Sequence, residues 1–262
     1  MNGQPIGIFD SGVGGTSIWK EIQKLLPHED TRYLADSKNA PYGEKSKEEI
    51  VRLSVKNTEL LLAENCKLIV VACNTATTNA IDYLRKQYEV PFIGIEPAIK
   101  PAALHSKSKT VGILATKGTL SSRLFHSTTE NHAHGIKIVE QEGTGLVPLI
   151  EAGKADSEET RKLLASYLRP MLEANIDYLV LGCTHYPYLI PVLRQLLPGH
   201  VKIIDSGEAV ARQTKTVLER NDSLNTAQEY GRHLFYTNTA VASLQRFLTD
   251  VAVNLEISYL DF

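Results

Sequence analysis

The sequence predicts an α/β protein: two similar α/β lobes with mostly parallel sheets, related by an internal pseudo-repeat, with the active site in the cleft between them. Three observations predict this. Short apolar runs alternate with helical patterns along the chain, the second half retraces the first, and two cysteines fall at matching strand ends within the retraced pattern.

The apolar runs Ile6–Phe9, Thr31–Ala35, Leu68–Ala72, Phe92–Ile95, Thr110–Leu114, Ile136–Val139, Tyr178–Leu181, Lys202–Ile204 and His233–Tyr236 read as strands. Between them, apolar residues recur at i, i+3 and i+4, the spacing of one helical face. The first helix starts at Thr16, places Ile18, Trp19, Ile22, Leu25 and Leu26 on one face, and ends before Pro27. A second helix is expected over Glu44–Glu64. Strands that alternate with helices this way form parallel sheets.

The repeat is carried by ENCKLIVVACNT at 64–75 and ANIDYLVLGCTH at 174–185. Asn65 pairs with Asn175 and Cys73 with Cys183, both 110 residues apart. Upstream, Glu48-Glu49 matches Glu158-Glu159 and Leu53 matches Leu163; downstream, FIGIEPA at 92–98 matches KIIDSGEA at 202–209. IGIFDSG at 6–12 resembles VGILATKG at 111–118. The lobes are therefore expected over residues 1–95 plus 208–262, and over 96–207. Ligands of parallel sheets sit outside the carboxyl ends of the strands, so Cys73 and Cys183 approach the expected cleft from opposite sides.

Composition excludes several classes. The 262 residues are 43% hydrophobic and 22% charged, enough apolar material for a sizeable core. A net charge of −2 gives no electrostatic footprint for nucleic acid or a membrane surface, and neither partner is expected. No apolar run reaches transmembrane length, and MNGQPIGIFD lacks the regions of a signal peptide. A cytoplasmic location is expected, with the three cysteines as thiols.

Cys73 precedes Asn74 and Thr75, and Cys183 precedes Thr184 and His185. Each stands where a strand gives way to a turn or helix whose N–H groups can face an anion. One such cysteine would read as a core thiol; two at equivalent places, each followed by polar residues, point to chemistry. Cys66 is the internal control. Its repeat partner is Ile176, and it reads as packing. Phe9 to Ser17 is a glycine-rich strand-to-helix turn, but Ser17 breaks the dinucleotide fingerprint and no phosphate-loop lysine follows. Asp10 and Ser11 either cap that turn or face a small anion. His185 is a structural histidine or a partner to the Cys183 thiolate. Tyr42 and Gly43 form a turn after Pro41, and Glu151 alone reads as a solvated helix residue.

Taken together, FDSGVGG, DSKNAPYG, ACNTATTNA, GIEPA and LGCTHYPYL resemble the bacterial glutamate racemases, cofactor-independent members of the aspartate/glutamate racemase group. The resemblance spans Ile6 to about Gly207 and loosens beyond Glu208. It implies interconversion of L- and D-glutamate with no cofactor and no metal, and supply of D-glutamate for peptidoglycan. It implies Cys73 and Cys183 as the two acid/base residues, assisted by Asp10, Glu151 and His185. Substrate contacts are implied for Asp10, Ser11, Tyr42, Gly43, Asn74, Thr75, Thr184 and His185. The expected partner is thus a small molecule, glutamate, with a homodimer as the candidate assembly.

Other chemistries fit less of the sequence. A cysteine hydrolase built on Cys183 and His185 leaves Cys73 unused, and the cysteines lack the short spacing of a metal site. A racemase of aspartate or another small amino acid remains an alternative, as does a non-catalytic amino-acid-binding protein, which would need the pocket but not the thiols.

Overall fold

The computed structural model describes residues 3–262; residues 1 and 2, where the first expected lobe begins, lie outside the described residues. The chain divides into two compact units, Met1–Ile95 with Gly207–Phe262, and Glu96–Ser206.

Unit 1 runs β1 (Ile6–Asp10), α1 (Thr16–Leu25), β2 (Thr31–Ala35), α2 (Lys47–Ala63), β3 (Leu68–Val71), α3 (Asn74–Gln87) and β4 (Phe92–Gly94). In unit 2 follow α4 (Ile99–His105), β5 (Thr110–Ala115), α5 (Lys117–Leu120), α6 (Arg123–His132), β6 (Lys137–Glu142), α7 (Leu146–Glu151), α8 (Glu158–Glu173), β7 (Tyr178–Gly182), α9 (Ile190–Leu196) and β8 (Lys202–Ile204). The chain then returns to unit 1 with α10 (Gly207–Arg220), β9 (His233–Thr237), α11 (Val241–Gln245) and β10 (Leu255–Tyr259).

Both sheets are parallel, as expected. Unit 1 has the order β10-β9-β2-β1-β3-β4 and unit 2 the order β6-β5-β7-β8. Removing β9 and β10 leaves the same winding in both. The β1–β3 register pairs Ile6 with Leu68, and the β5–β7 register pairs their repeat partners Val111 and Tyr178. The turns between helix and strand also match. Asn65 and Asn175 both adopt left-handed backbone, at φ 57° and 59°. In each, the next N–H reaches five residues back, Cys66 to Leu61 O and Ile176 to Met171 O. Asparagine tolerates this conformation better than branched residues do, which explains why the two repeats share it there.

Local signals fix the helix starts. The Ser46 hydroxyl accepts the Glu49 N–H (3.2 Å), and Ser157 does the same for Thr160 (3.2 Å). That cap places the start of α2 at Lys47 instead of Glu44, which lies in a separate 3₁₀ turn. On α1, Ile18, Trp19 and Ile22 are buried as expected, but Leu25 in the last turn is exposed while Leu26 is buried. β6 starts one residue later than the apolar run and extends to Glu142.

The unit 1 core gathers Phe9, Trp19, Tyr33 and Phe235, with Trp19 edge-on to Phe235 at 4.8 Å. The unit 2 core gathers Ile99, Val111, Ile113, Phe125 and Val180. Cys66 is a core residue. A Cβ on Gly7 would come within 3.0 Å of its sulfur, and a Cβ on Gly112, the repeat partner of Gly7, would come within 3.0 Å of Ile176. Burial pushes the Cys66 thiol up to about 12, too high for acid/base work near neutrality. No helix among the described residues is long and apolar enough to cross a membrane.

Candidate active site

In unit 1 the expected residues collect at the carboxyl ends of β1, β2 and β3. Asp10, the last residue of β1, turns its carboxylate onto its own loop, accepting the N–H groups of Gly12 (3.2 Å) and Gly15 (2.9 Å). Gly15 allows the tight return: a Cβ there would lie 2.7 Å from Asp10 Cβ and from the Tyr33 hydroxyl. The folded loop brings Ser11 Oγ to 3.7 Å from the Cys73 sulfur.

Cys73 caps α3. Its sulfur accepts the Ala76 N–H at 3.4 Å, so the positive end of a helix 14 residues long faces it, an arrangement that favours charge on sulfur. Asn74 follows in the first turn, 3% exposed, and neither its amide nitrogen nor its amide oxygen has a hydrogen-bond partner. A buried unsatisfied polar group costs about 1–3 kcal/mol, so both atoms are suited to a bound polar molecule. Thr75 beside it is equally buried.

Tyr42 is buried and donates to Asp36 at 2.6 Å. Burial and then the Asp36 carboxylate hold its phenol well above its ordinary value, so it stays protonated. Gly43, half-buried, lies in the same 3₁₀ turn. Asp36 itself, fully buried, is a hub that its sequence context does not announce. It accepts from Asn39 (2.8 Å), Lys56 (3.1 Å) and Asn238 (2.6 Å) as well as Tyr42. Asn238 Oδ1 in turn accepts the Lys38 N–H at 2.9 Å. The only sequence signal for Asp36 was its place at the end of β2, opening the DSKNAPYG motif. Asn238 comes from the segment beyond Glu208, where the resemblance loosens.

In unit 2 the carboxyl end of β7 carries Cys183, Thr184 and His185, all buried. His185 Nδ1 lies 3.8 Å from the Cys183 sulfur, and its Nε2 lies 2.7 Å from Glu151 Oε1 at the end of α7. Glu151 is thereby taken out of the solvated role that its local sequence suggested. Burial works against charge on His185, but the Cys183 and Glu151 hydrogen bonds outweigh it and hold the ring well above 6.5. The result is a line of thiol, imidazole and carboxylate in which a proton can move toward or away from sulfur. Unlike Cys73, Cys183 leads into a 3₁₀ turn, Tyr186–Leu189, and the helix after it, α9, is only 7 residues long.

The profile of the Asp/Glu/Hydantoin racemase family matches residues 6–214. A glutamate racemase of Herpetosiphon aurantiacus is 48% identical over 231 residues, covering 88% of this chain and 91% of that one. One from Deinococcus radiodurans is 44% identical over 246 residues, covering 93% and 85%. Among solved structures, Escherichia coli glutamate racemase in complex with L-glutamate and the activator UDP-MurNAc-ala aligns with a TM-score of 0.85 at 34% identity, covering 98% of each chain. Glutamate racemase from Francisella tularensis in complex with D-glutamate aligns with a TM-score of 0.84 at 29% identity, again covering 98% of each chain.

Proposed function

Because the chain belongs to the Asp/Glu/Hydantoin racemase family, we propose that it interconverts L- and D-glutamate, with Cys73 and Cys183 as proton acceptor and donor on opposite faces of Cα. The observation that carries this reading is the pair of thiols at equivalent strand ends, after β3 and after β7, each with its own means of holding charge.

In the L-to-D direction the Cys183 thiolate takes the α-hydrogen as a proton. The C–H electron pair stays on Cα, and the Cys73 thiol delivers its proton to the other face. Cys183 ends as thiol and Cys73 as thiolate, and the reverse reaction exchanges the roles. An ordinary thiol titrates at about 8.5 and is only a few per cent ionised at neutral pH, so each sulfur needs support. At Cys73 the support is the helix N-terminus and the Ser11 hydroxyl. At Cys183 it is the imidazolium of His185, kept charged by Glu151. Lys38, the basic residue of DSKNAPYG, pairs with Asp261 at 3.2 Å at an exposed site, so the substrate carboxylates and ammonium fall to the Asn74 amide, to Ser11, Thr75 and Thr184, and to backbone N–H groups. Two thiols supply both proton transfers, so the reading calls for no cofactor. It places the enzyme in the cytoplasm, where thiols stay reduced, with peptidoglycan assembly as the consumer of D-glutamate and a homodimer as the assembly to look for by sedimentation.

The test is solvent isotope incorporation. In heavy water, the first D-glutamate formed from L-glutamate carries deuterium at Cα while the remaining L-glutamate keeps protium, and the mirror result holds from D-glutamate. Substantial protium in the earliest product would mean one base serving both faces and would overturn the two-thiol mechanism.

A further inference from the structure

His185 and Tyr186, adjacent in the chain, grip the two ends of one short segment. His185 meets Glu151, the last residue of α7. The Tyr186 hydroxyl donates to the carbonyl of Gly143 at 3.2 Å, in the loop just before α7. Tyr186 is 0% exposed. The fit at Gly143 is close: a Cβ there would overlap the tyrosine hydroxyl and lie 2.8 Å from the ring carbon that bears it. The next residue is fastened too. The Tyr167 hydroxyl donates to Thr144 O at 2.7 Å, and the Thr144 hydroxyl donates to Glu142 at 2.7 Å. Gly145 then enters α7 with left-handed backbone, φ 82°.

A six-residue helix is too short to be stable by itself, so its direction is set by what anchors its ends. The C-terminal anchor is the carboxylate that serves His185. We propose that Tyr186 is a positioning residue: by fixing Gly143, its hydroxyl aims α7 so that the Glu151 carboxylate meets His185. This deepens, and rests on, the reading in which His185 supports Cys183. Tyr186 does not act as an acid. Burial, then the neighbouring Cys183, Tyr167 and Glu142, hold its phenol well above its ordinary value, so its proton remains available for Gly143. The groups that set the charge on His185 are Cys183 on one ring nitrogen and Glu151 on the other.

Tyr186→Phe keeps the ring and deletes the anchor; Tyr167→Phe deletes the neighbouring one at a half-buried site. Two readouts separate positioning from general weakening. The first is the His185 ring titration, followed by NMR in histidine-labelled protein. With Glu151 less well aimed, it falls toward 6.5 by about half a pH unit or more in Tyr186→Phe, the shift expected when roughly one hydrogen bond's worth of coupling is lost, and by less in Tyr167→Phe. The second is kinetic. The kcat/KM for glutamate drops about 2- to 10-fold, the range a single hydrogen bond carries. Slowing transfer at Cys183 alone makes that step more limiting. The isotope effect with the α-deuterated enantiomer that Cys183 serves therefore rises, while that with the other enantiomer falls. A purely structural loss moves neither.

An unchanged His185 titration in Tyr186→Phe overturns the proposal, as do isotope effects that move together. If Tyr186→Phe does not fold, the same readouts on Tyr167→Phe decide. Wild-type protein that leaves the optical rotation of L-glutamate unchanged ends the racemase reading instead, and the titration still tests the positioning role.

Discussion

His233 makes unit 1 sensitive to acid. The ring is buried at the start of β9, with Nδ1 3.0 Å from the Thr31 hydroxyl, which also accepts the indole N–H of Trp19 at 3.0 Å. Burial pushes the imidazole down to about 4, Asp30 opposing and Arg32 assisting. In the unfolded chain it titrates near 6.5, so on acidification the unfolded state takes up the proton first. The stability the neutral ring contributes is complete above about pH 6.5 and is lost as the pH falls toward 4. At 1.36 kcal/mol per pH unit the full loss is about 3 kcal/mol, of which about 2 kcal/mol is gone by pH 5. Trp19 is the only tryptophan in the chain and stands edge-on to this ring at 5.2 Å, so its fluorescence reports the unfolding of unit 1. Urea unfolding at pH 7.5 and pH 5.0, on wild type and His233→Gln, isolates the effect. Wild type loses about 2 kcal/mol more than the variant between the two pH values. Parallel losses in the two proteins would show that His233 is not the group responsible.

Three further outcomes are expected. Cys73→Ser and Cys183→Ser each lower the racemisation rate by about 100-fold or more in a polarimetric assay, the scale on which a positioned acid or base contributes, while Cys66→Ser loses stability but keeps its rate per folded molecule. Asn74→Ala raises KM for glutamate by about 10-fold, one or two hydrogen bonds' worth, without lowering thermal stability, because the amide has no protein partner to lose. Asn238→Ala leaves Asp36 and the Lys38 N–H each short of a partner, costs about 1–3 kcal/mol in urea unfolding, and raises KM through the Tyr42 turn.

Most of the sheets could be read from the chain because a buried parallel strand is a continuous apolar run between helical patterns. β10 escaped because it alternates instead of running apolar. Leu255-Glu256-Ile257-Ser258-Tyr259 alternates apolar and polar residues and is nowhere fully buried, so its run of hydrophobicity never rises above that of a loop. The repeat located both thiols, since Cys73 and Cys183 share one register and Cys66 does not. Glu151 was a different matter. Nothing local marks VPLIEAG, and its meaning comes from a contact with a residue 34 positions away. Asp36 and Asn238 were illegible for the same reason, 202 positions apart and joined only by folding.

The two repeats diverge just after the cysteines, where one builds a long helix and the other a short turn backed by a histidine and a glutamate. A helix terminus carries a fixed partial charge, whereas an imidazole gains and loses one. The two thiols are therefore matched in place but not in what stands beside them. Enantiomers have equal free energy, so the ratio kcat/KM must be the same in both directions at every pH. On the proposed mechanism, a pH that speeds the step at Cys183 moves kcat/KM equally in both directions, and any difference between the directions falls on kcat and KM separately. An enzyme that looks balanced at low substrate would reveal its two unlike halves only at saturation, in a pH-dependent difference between the turnover of L- and of D-glutamate.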